Sequence, residues 1–373
     1  MINNISANNL KKVFSVTLTA ILLVSGFFVG DVLAVASITV TSPTAGVYWR
    51  GTQNITWIAD CQPGDQVNIY YSTNDFVSST KIADGVACNA YSYSWDTTGK
   101  NGANYKIKVR DKIDPDVSGV SDVFTIDNVN PTIQITTLVS PNGGEFWAGG
   151  SSKNITWTAG DITDINLEAN PISLSYTTDG ATWNPIAGGE ANDGSYSWAV
   201  PEIDFSTVKV KIVATDLAGN TASDESNAIF TIDSTHPIAT VITSVNPIFE
   251  GALIQTVTVT YDEAMNPATS PVITLTGTNW GAQTPAGWTV GNTVYTATFT
   301  HDGTQESISA AVATVANASG ATDLAANSEI GDDSSAFVVD TQKATVIGVT
   351  PTALVEANVG SVSVVVTFNE NMD

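Results

Sequence analysis

What most constrains the folding of this chain is that it repeats itself. Asn54-Ile55-Thr56-Trp57 returns 100 positions later as Asn154-Ile155-Thr156-Trp157. Tyr93-Ser94-Trp95 returns as Tyr196-Ser197-Trp198 after 103, and Phe124-Thr125-Ile126-Asp127 as Phe230-Thr231-Ile232-Asp233 after 106. A second kind of unit follows, in which Thr260-Tyr261-Asp262-Glu263-Ala264-Met265-Asn266 is echoed by Thr367-Phe368-Asn369-Glu370-Asn371-Met372-Asp373. Solenoid repeats run to roughly 20–50 residues, so a period near 100 suits a string of domains, each burying its own core. The sequence predicts three complete modules, at residues 37–129, 130–236 and 237–342, and the start of a truncated fourth at 343–373.

Within each module, short alternating segments are separated by turn residues, with no sustained helical period. In residues 53–59, Ile55, Trp57 and Ala59 share one face. Further strands are expected at 67–71, 91–95, 105–109 and 123–126, and in the second module at 154–158, 172–177, 195–198, 208–214 and 228–232. The third module reads as longer strands at 256–261, 272–276, 293–300 and 307–313. The fold class predicted is all-β: tandem immunoglobulin-like antiparallel β-sandwich modules of about seven strands each, in an extended array. The joints are short, and two carry a proline (Pro131, Pro237) that restricts the residue before it.

Address comes from the N-terminus. Lys11 and Lys12 precede an apolar run at residues 13–29, and Ala34-Val35-Ala36 gives a small-residue cleavage pattern, so residues 1–36 read as a signal peptide cut before Ser37. No later stretch reaches the ~18 apolar residues of a spanning helix, so the mature chain is expected without a membrane span, secreted or at the cell surface. In that compartment Cys61 and Cys88, the two cysteines of the chain, are expected to form a disulfide. The balance of 13 Lys+Arg against 37 Asp+Glu, a net charge of −24, argues against nucleic acid or anionic lipid as partner.

The first two modules resemble the N-terminal immunoglobulin-like domain of the Kre9/Knh1 family (the Ser-Thr-rich glycosylphosphatidylinositol-anchored type). The resemblance rests on Ser42-Pro43 through Trp49 with Asn54-Ile55-Thr56-Trp57, and on Ser140-Pro141-Asn142-Gly143-Gly144-Glu145 through Trp147 with the second Asn-Ile-Thr-Trp. The later Tyr-Ser-Trp segments belong to it. Module three and its successor are similar to bacterial immunoglobulin-like repeats of large surface proteins, which share a Val-Thr-Val-Thr-(Tyr/Phe)-(Asp/Ser)-Glu-x-Met core strand. The first resemblance implies a link to cell-wall glucan assembly but brings no catalytic or ligand residues with it.

Chemistry is sparse. His236 precedes Pro237 and His301 begins a His-Asp-Gly turn; neither lies in a nucleophile motif. Asp262 and Glu263, adjacent in an extended segment, point to opposite faces, a poor arrangement for shared acid–base work. No catalytic or cofactor-binding residue is expected. Acidic groups gather at turns and joints instead: Asp127, Asp233, Asp340 and the pairs Asp216/Asn220 and Asp323/Asn327. As hard oxygen ligands these pairs are calcium candidates; as turn formers they cap their own backbone. Trp57, Trp95, Trp157 and Trp198 sit in strands and read as core, and Trp49 and Trp147 follow turns and read as partly exposed. Trp183, Trp280 and Trp288 lie near loops and read as candidates for a sugar-binding surface. Asn54, Asn154 and Asn317 fit the Asn-x-Ser/Thr glycosylation pattern. The expectation is a non-catalytic exported stalk or adhesion array. Its partner would be the cell envelope or an extracellular polysaccharide or protein, and the functional part would lie beyond Asp373. The alternatives are a polysaccharide-binding or wall-assembly protein, or the accessory region of a larger extracellular hydrolase.

Overall fold

The computed structural model of the chain describes residues 35–134, 137–350 and 363–370. The signal-peptide reading falls almost wholly outside them. Backbone packing divides the chain into two compact units, Met1–Asn130 with Asp216–Asn220, and Pro131–Thr215 with Thr221–Asp373. Among the described residues there is no α-helix, and no helix long and apolar enough to cross a membrane.

In the first unit, Ile38–Ser42, Thr52–Ala59 and Ser92–Asp96 form a three-stranded antiparallel sheet. A six-stranded sheet faces it, ordered Tyr48–Trp49, Phe124–Ile126, Gly102–Asp111, Gln66–Ser72 and Thr80–Ala87, with Ser118–Val120 also on Gly102–Asp111. Alternation drives the packing: Tyr105, Ile107 and Val109 are buried while Lys106, Lys108 and Arg110 face outward. One core takes Ile55, Trp57 and Trp95 from the small sheet and Val67, Ile69, Ile107 and Phe124 from the large one. Cys61 and Cys88 are bonded, their Cα atoms 5.7 Å apart.

In the second unit, residues 138–233 repeat this plan strand for strand. Leu138–Ser140, Ser152–Trp157 and Ser195–Ala199 form the small sheet, and the large one runs Phe146–Ala148, Phe230–Asp233, Phe205–Asp216, Leu167–Thr177, Asn184–Glu190, with Thr221–Glu225 on Phe205–Asp216. Trp157 and Trp198 again meet Val208, Val210, Phe230 and Ile232 in one core. Each of these two sandwiches thus has more strands than the seven expected, because the half-exposed strands Thr80–Ala87 and Asn184–Glu190 and several short ones were not visible in the pattern.

Residues 239–340, also in the second unit, are built differently. Ala239–Thr243, Ile254–Tyr261, Val294–Thr300 and Thr284–Thr289 make a four-stranded antiparallel sheet, packed on a smaller one of Ile273–Leu275, Ala313–Val315 and Asp332–Asp333. The single strand expected at 307–313 is two. Ser307–Ala311 pairs with Phe337–Asp340, and the chain then switches sheets at Val312, whose N–H and C=O both bond Thr276. A last hairpin pairs Val346–Thr350 with Val365–Phe368.

Candidate metal centre

The two turns singled out in the sequence share one hydrogen-bond design. In Asp323 to Asn327, the Asn327 N–H donates to Asp323 Oδ1 (2.8 Å) and Asn327 Nδ2 to Asp323 Oδ2 (2.7 Å). That same Nδ2 donates to the Asp233 carbonyl at 3.0 Å, tying the turn to the end of the Phe230–Asp233 strand. In the first unit, Asn220 donates to Asp216 at 2.8 and 2.7 Å and to the Asp127 carbonyl at 3.0 Å. Both asparagines therefore serve as donors that close the turn. The backbone turns sharply at the fourth position, Gly219 (φ 79°) in one turn and Ala326 (φ 77°) in the other.

What surrounds Asp323 is more telling. Asp233, Glu263 and Asp323, all in the second unit, each place a carboxylate oxygen within 4.8 Å of the other two. Asp323 is 1% exposed. The bend after the Ile254–Tyr261 strand sets Glu263: Tyr261 and Met265 are buried, and Glu263 shares their parity while Asp262 turns outward. Asp262 accepts the Ile238 N–H (2.8 Å), which fixes the bend, whereas Glu263 Oε1 is buried with no hydrogen-bond partner. Asp262 and Glu263 thus lie beyond the strand, on opposite sides as expected, and have separate roles.

The electrostatics follow from this crowding. Burial, then the charges of Asp233, Asp323, Asp262 and Asp204, pushes the Glu263 carboxyl up to about 7. Burial also raises Asp233, helped by Asp323 and Asp204 and opposed by the Thr235 N–H it accepts. No described lysine or arginine forms an ion pair with the cluster. Two carboxylates within 4.8 Å of each other repel by at least ~1 kcal/mol in water and ~3.5 kcal/mol at the effective dielectric of a partly buried site. Three cannot all ionise cheaply without a proton or a cation among them. The donor set is all oxygen, one member is orphaned, and a cleft of about 450 Å³ lined by Asp204, Phe205, Asp233, Asp262 and Glu263 gives access. This chemistry fits a hard divalent cation such as Ca²⁺. In the first unit, Asp127 and Asp216 bring their carboxylates equally close.

Of the four sequence candidates, Asp216 and Asp323 lie in these clusters. Asn220 and Asn327 brace them from behind through their amide nitrogens. Glu263 was missed as a ligand, although the repeat marks it: Asp262-Glu263 becomes Asn369-Glu370, keeping the glutamate, and Asn369 Oδ1 accepts the Thr345 N–H as Asp262 accepts that of Ile238.

The other candidates are placed in packing roles. Trp49 and Trp147 are buried, contrary to the expectation of partial exposure. Each lies in a short strand pairing in parallel with the Phe-Thr-Ile segment, its ring 4.8 or 5.2 Å from that of Phe124 or Phe230. Trp280 packs edge-on to His301 and Phe337, and Trp288 between Tyr261 and Tyr295. Trp183 lines a shallow groove of about 370 Å³ with Leu174, Pro185 and Val213, but Lys211 Nζ sits 3.8 Å over its ring. His236 Nδ1 meets the Ser328 carbonyl, and buried His301 donates to Glu306 (3.0 Å) while accepting the Gly303 N–H. Neither histidine bonds a hydroxyl or thiol among the described residues.

No known family's profile and no curated protein matches the chain. Among solved structures, it is similar to a Ca²⁺-stabilised adhesin with which an Antarctic bacterium binds ice, at 18% identity and a TM-score of 0.35, over 84% of this chain and 77% of that one. It is also similar to a 1.5-MDa bacterial ice-binding adhesin, at 16% identity and a TM-score of 0.30, over 82% and 97%. The FN1–FN3 domains of chicken CNTN1 match at 11% identity and a TM-score of 0.24, over 82% and 98%. These values assign no ligand or partner to this chain. Its fold is all-β and immunoglobulin-like.

Proposed function

We propose that this is an exported, non-catalytic cell-surface or extracellular protein whose tandem sandwiches act as a stalk or adhesion array, and that Ca²⁺ braces it at the Asp233–Glu263–Asp323 cluster. In this reading residues 37–129 and 130–236 are Kre9/Knh1-like modules, 237–342 is a bacterial immunoglobulin-like module and 343–373 begins another. The observation that carries it is the buried, unpartnered Glu263 Oε1 close to two further carboxylates, with no ion pair to the cluster from a lysine or arginine among the described residues. A bound Ca²⁺ would take its oxygens from Asp233, Glu263 and Asp323, and would lower the repulsion that strains the joint between the Phe230–Asp233 strand and the sandwich after it.

The test is thermal unfolding of the purified chain in EDTA and in millimolar CaCl₂. A calcium-dependent rise in melting temperature, larger than that given by an equal ionic strength of NaCl, supports the reading. Identical melting in the three buffers refutes it.

Polysaccharide binding is the second reading, favoured by the Trp183 groove. Retention on insoluble glucan or peptidoglycan that is lost in Trp183→Ala would replace the stalk by a wall-binding role.

A further inference from the structure

We infer that export processing cuts the Ala34–Val35 bond and that Asp111 holds the α-ammonium group so released; this rests on the export reading above. The sequence pattern admits two scissile bonds. Ala34-Val35-Ala36 allows a cut before Ser37, and Val32-Leu33-Ala34 offers the same spacing of small or short aliphatic residues two positions earlier.

The fold distinguishes them. Val35 is 1% exposed and belongs to the core of the first sandwich together with Ile38, while Ala36 and Ser37 between them face outward. A cut before Ser37 would remove a core side chain that the folded domain uses. It would also take away a polar partner. The Val35 nitrogen lies 3.3 Å from Asp111 Oδ2. Asp111 is 2% exposed, and its other oxygen is already occupied by the N–H groups of Ile113 (2.7 Å) and Asp114 (2.6 Å). The two adjacent basic side chains are directed elsewhere, Arg110 to the Tyr70 hydroxyl and Lys112 to Asp84 and Gln66. Among the described residues, Oδ2 thus faces the Val35 nitrogen.

Hydrolysis of the Ala34–Val35 amide adds hydroxide to the Ala34 carbonyl carbon and leaves the Val35 nitrogen as a primary amine, which takes up a proton at neutral pH. The amide donor becomes a cationic donor facing a carboxylate, a charge-assisted hydrogen bond stronger than the one it replaces. The processing event would thereby complete the core edge it exposes.

Intact-mass and N-terminal sequencing of the chain recovered after export decide the cut. A mature chain beginning Val-Ala-Ser-Ile supports the inference. A chain beginning Ser-Ile-Thr-Val overturns it but keeps the export reading. A chain still carrying residues 1–34 overturns both. The Asp111 pairing is tested separately by acylating the mature protein with an N-hydroxysuccinimide ester near neutral pH. The Val35 amine should react about tenfold more slowly than in Asp111→Asn, because a carboxylate beside it favours the protonated, unreactive form. If that variant does not fold, wild-type protein in urea serves as the reference. Equal rates overturn the pairing.

Discussion

Replacing Glu263 by glutamine should make this protein more stable without calcium and less responsive to it. In the metal-free protein the Glu263 carboxyl is held at about 7, against 4.5 for an unperturbed glutamate, chiefly by burial and then by Asp233 and Asp323. The native state therefore keeps this proton to higher pH than the unfolded chain does. Between ~4.5 and ~7 it binds more protons, so stability falls as pH rises across that window and is flat above it. The full shift corresponds to at most ~3.5 kcal/mol; because solvent reaches part of the side chain, ~1–2 kcal/mol is the working figure. Glu263→Gln keeps the shape and removes the charge. In EDTA at about pH 8 the variant should melt higher than wild type by roughly 2–8 °C, taking ~2–4 °C per kcal/mol for a unit of this size. At about pH 5, where wild type is itself protonated, the two should nearly coincide. With ~10 mM CaCl₂ and an affinity of ~10⁻⁴–10⁻³ M, wild type gains ~1.4–2.7 kcal/mol at this site and the order reverses. Differential scanning fluorimetry over a pH series reads all of this. A variant that melts lower than wild type in EDTA at high pH, or by the same margin at both pH values, refutes the reasoning.

Three further outcomes follow from particular contacts. Ala326 adopts the left-handed conformation (φ 77°) that Gly219 supplies in the sister turn. Ala326→Gly should therefore gain ~0.5 kcal/mol and Gly219→Ala lose ~1–2 kcal/mol in urea unfolding, the latter through backbone strain, since a Cβ there meets only ordinary contacts. The Cys61–Cys88 bond closes a sequence separation of 27, so the double Ala variant should lose about 3.5 kcal/mol on the loop-entropy relation, confined to the unfolding of the first sandwich. Glu329, 2% exposed, accepts from Ser319, Gly320, Ala321 and the Tyr261 hydroxyl. Glu329→Ala should cost more than ~3 kcal/mol by orphaning these donors, whereas Tyr261→Phe, which leaves the backbone donors satisfied, should cost ~1–2 kcal/mol.

Strands buried on one face were legible because alternation and β-branched or aromatic residues coincide in them, as in residues 105–109 and 208–214. Thr80–Ala87 and Asn184–Glu190 were not. Both are half-exposed strands with irregular register, containing Gly85 or Gly188 and Gly189, so no clean alternation survives in the sequence. The break at Val312 was hidden because an apolar run does not announce which sheet it joins. Trp49 and Trp147 looked exposed because they follow turns; a long-range parallel pairing with the Phe-Thr-Ile strands buries them. At the acidic cluster, the turn residues Asp216, Asn220, Asp323 and Asn327 stood out through local spacing. Glu263 did not, since its significance depends on which groups meet its inward face, and those arrive from residues 233 and 323.

The central claim is that Glu263, Asp233 and Asp323 together hold one calcium ion. Isothermal titration of Ca²⁺ into the metal-free mature chain, compared with Glu263→Gln, tests it most directly. The variant should bind one ion fewer, with any remaining sites unchanged in affinity. Superimposable titrations of the two proteins would contradict it.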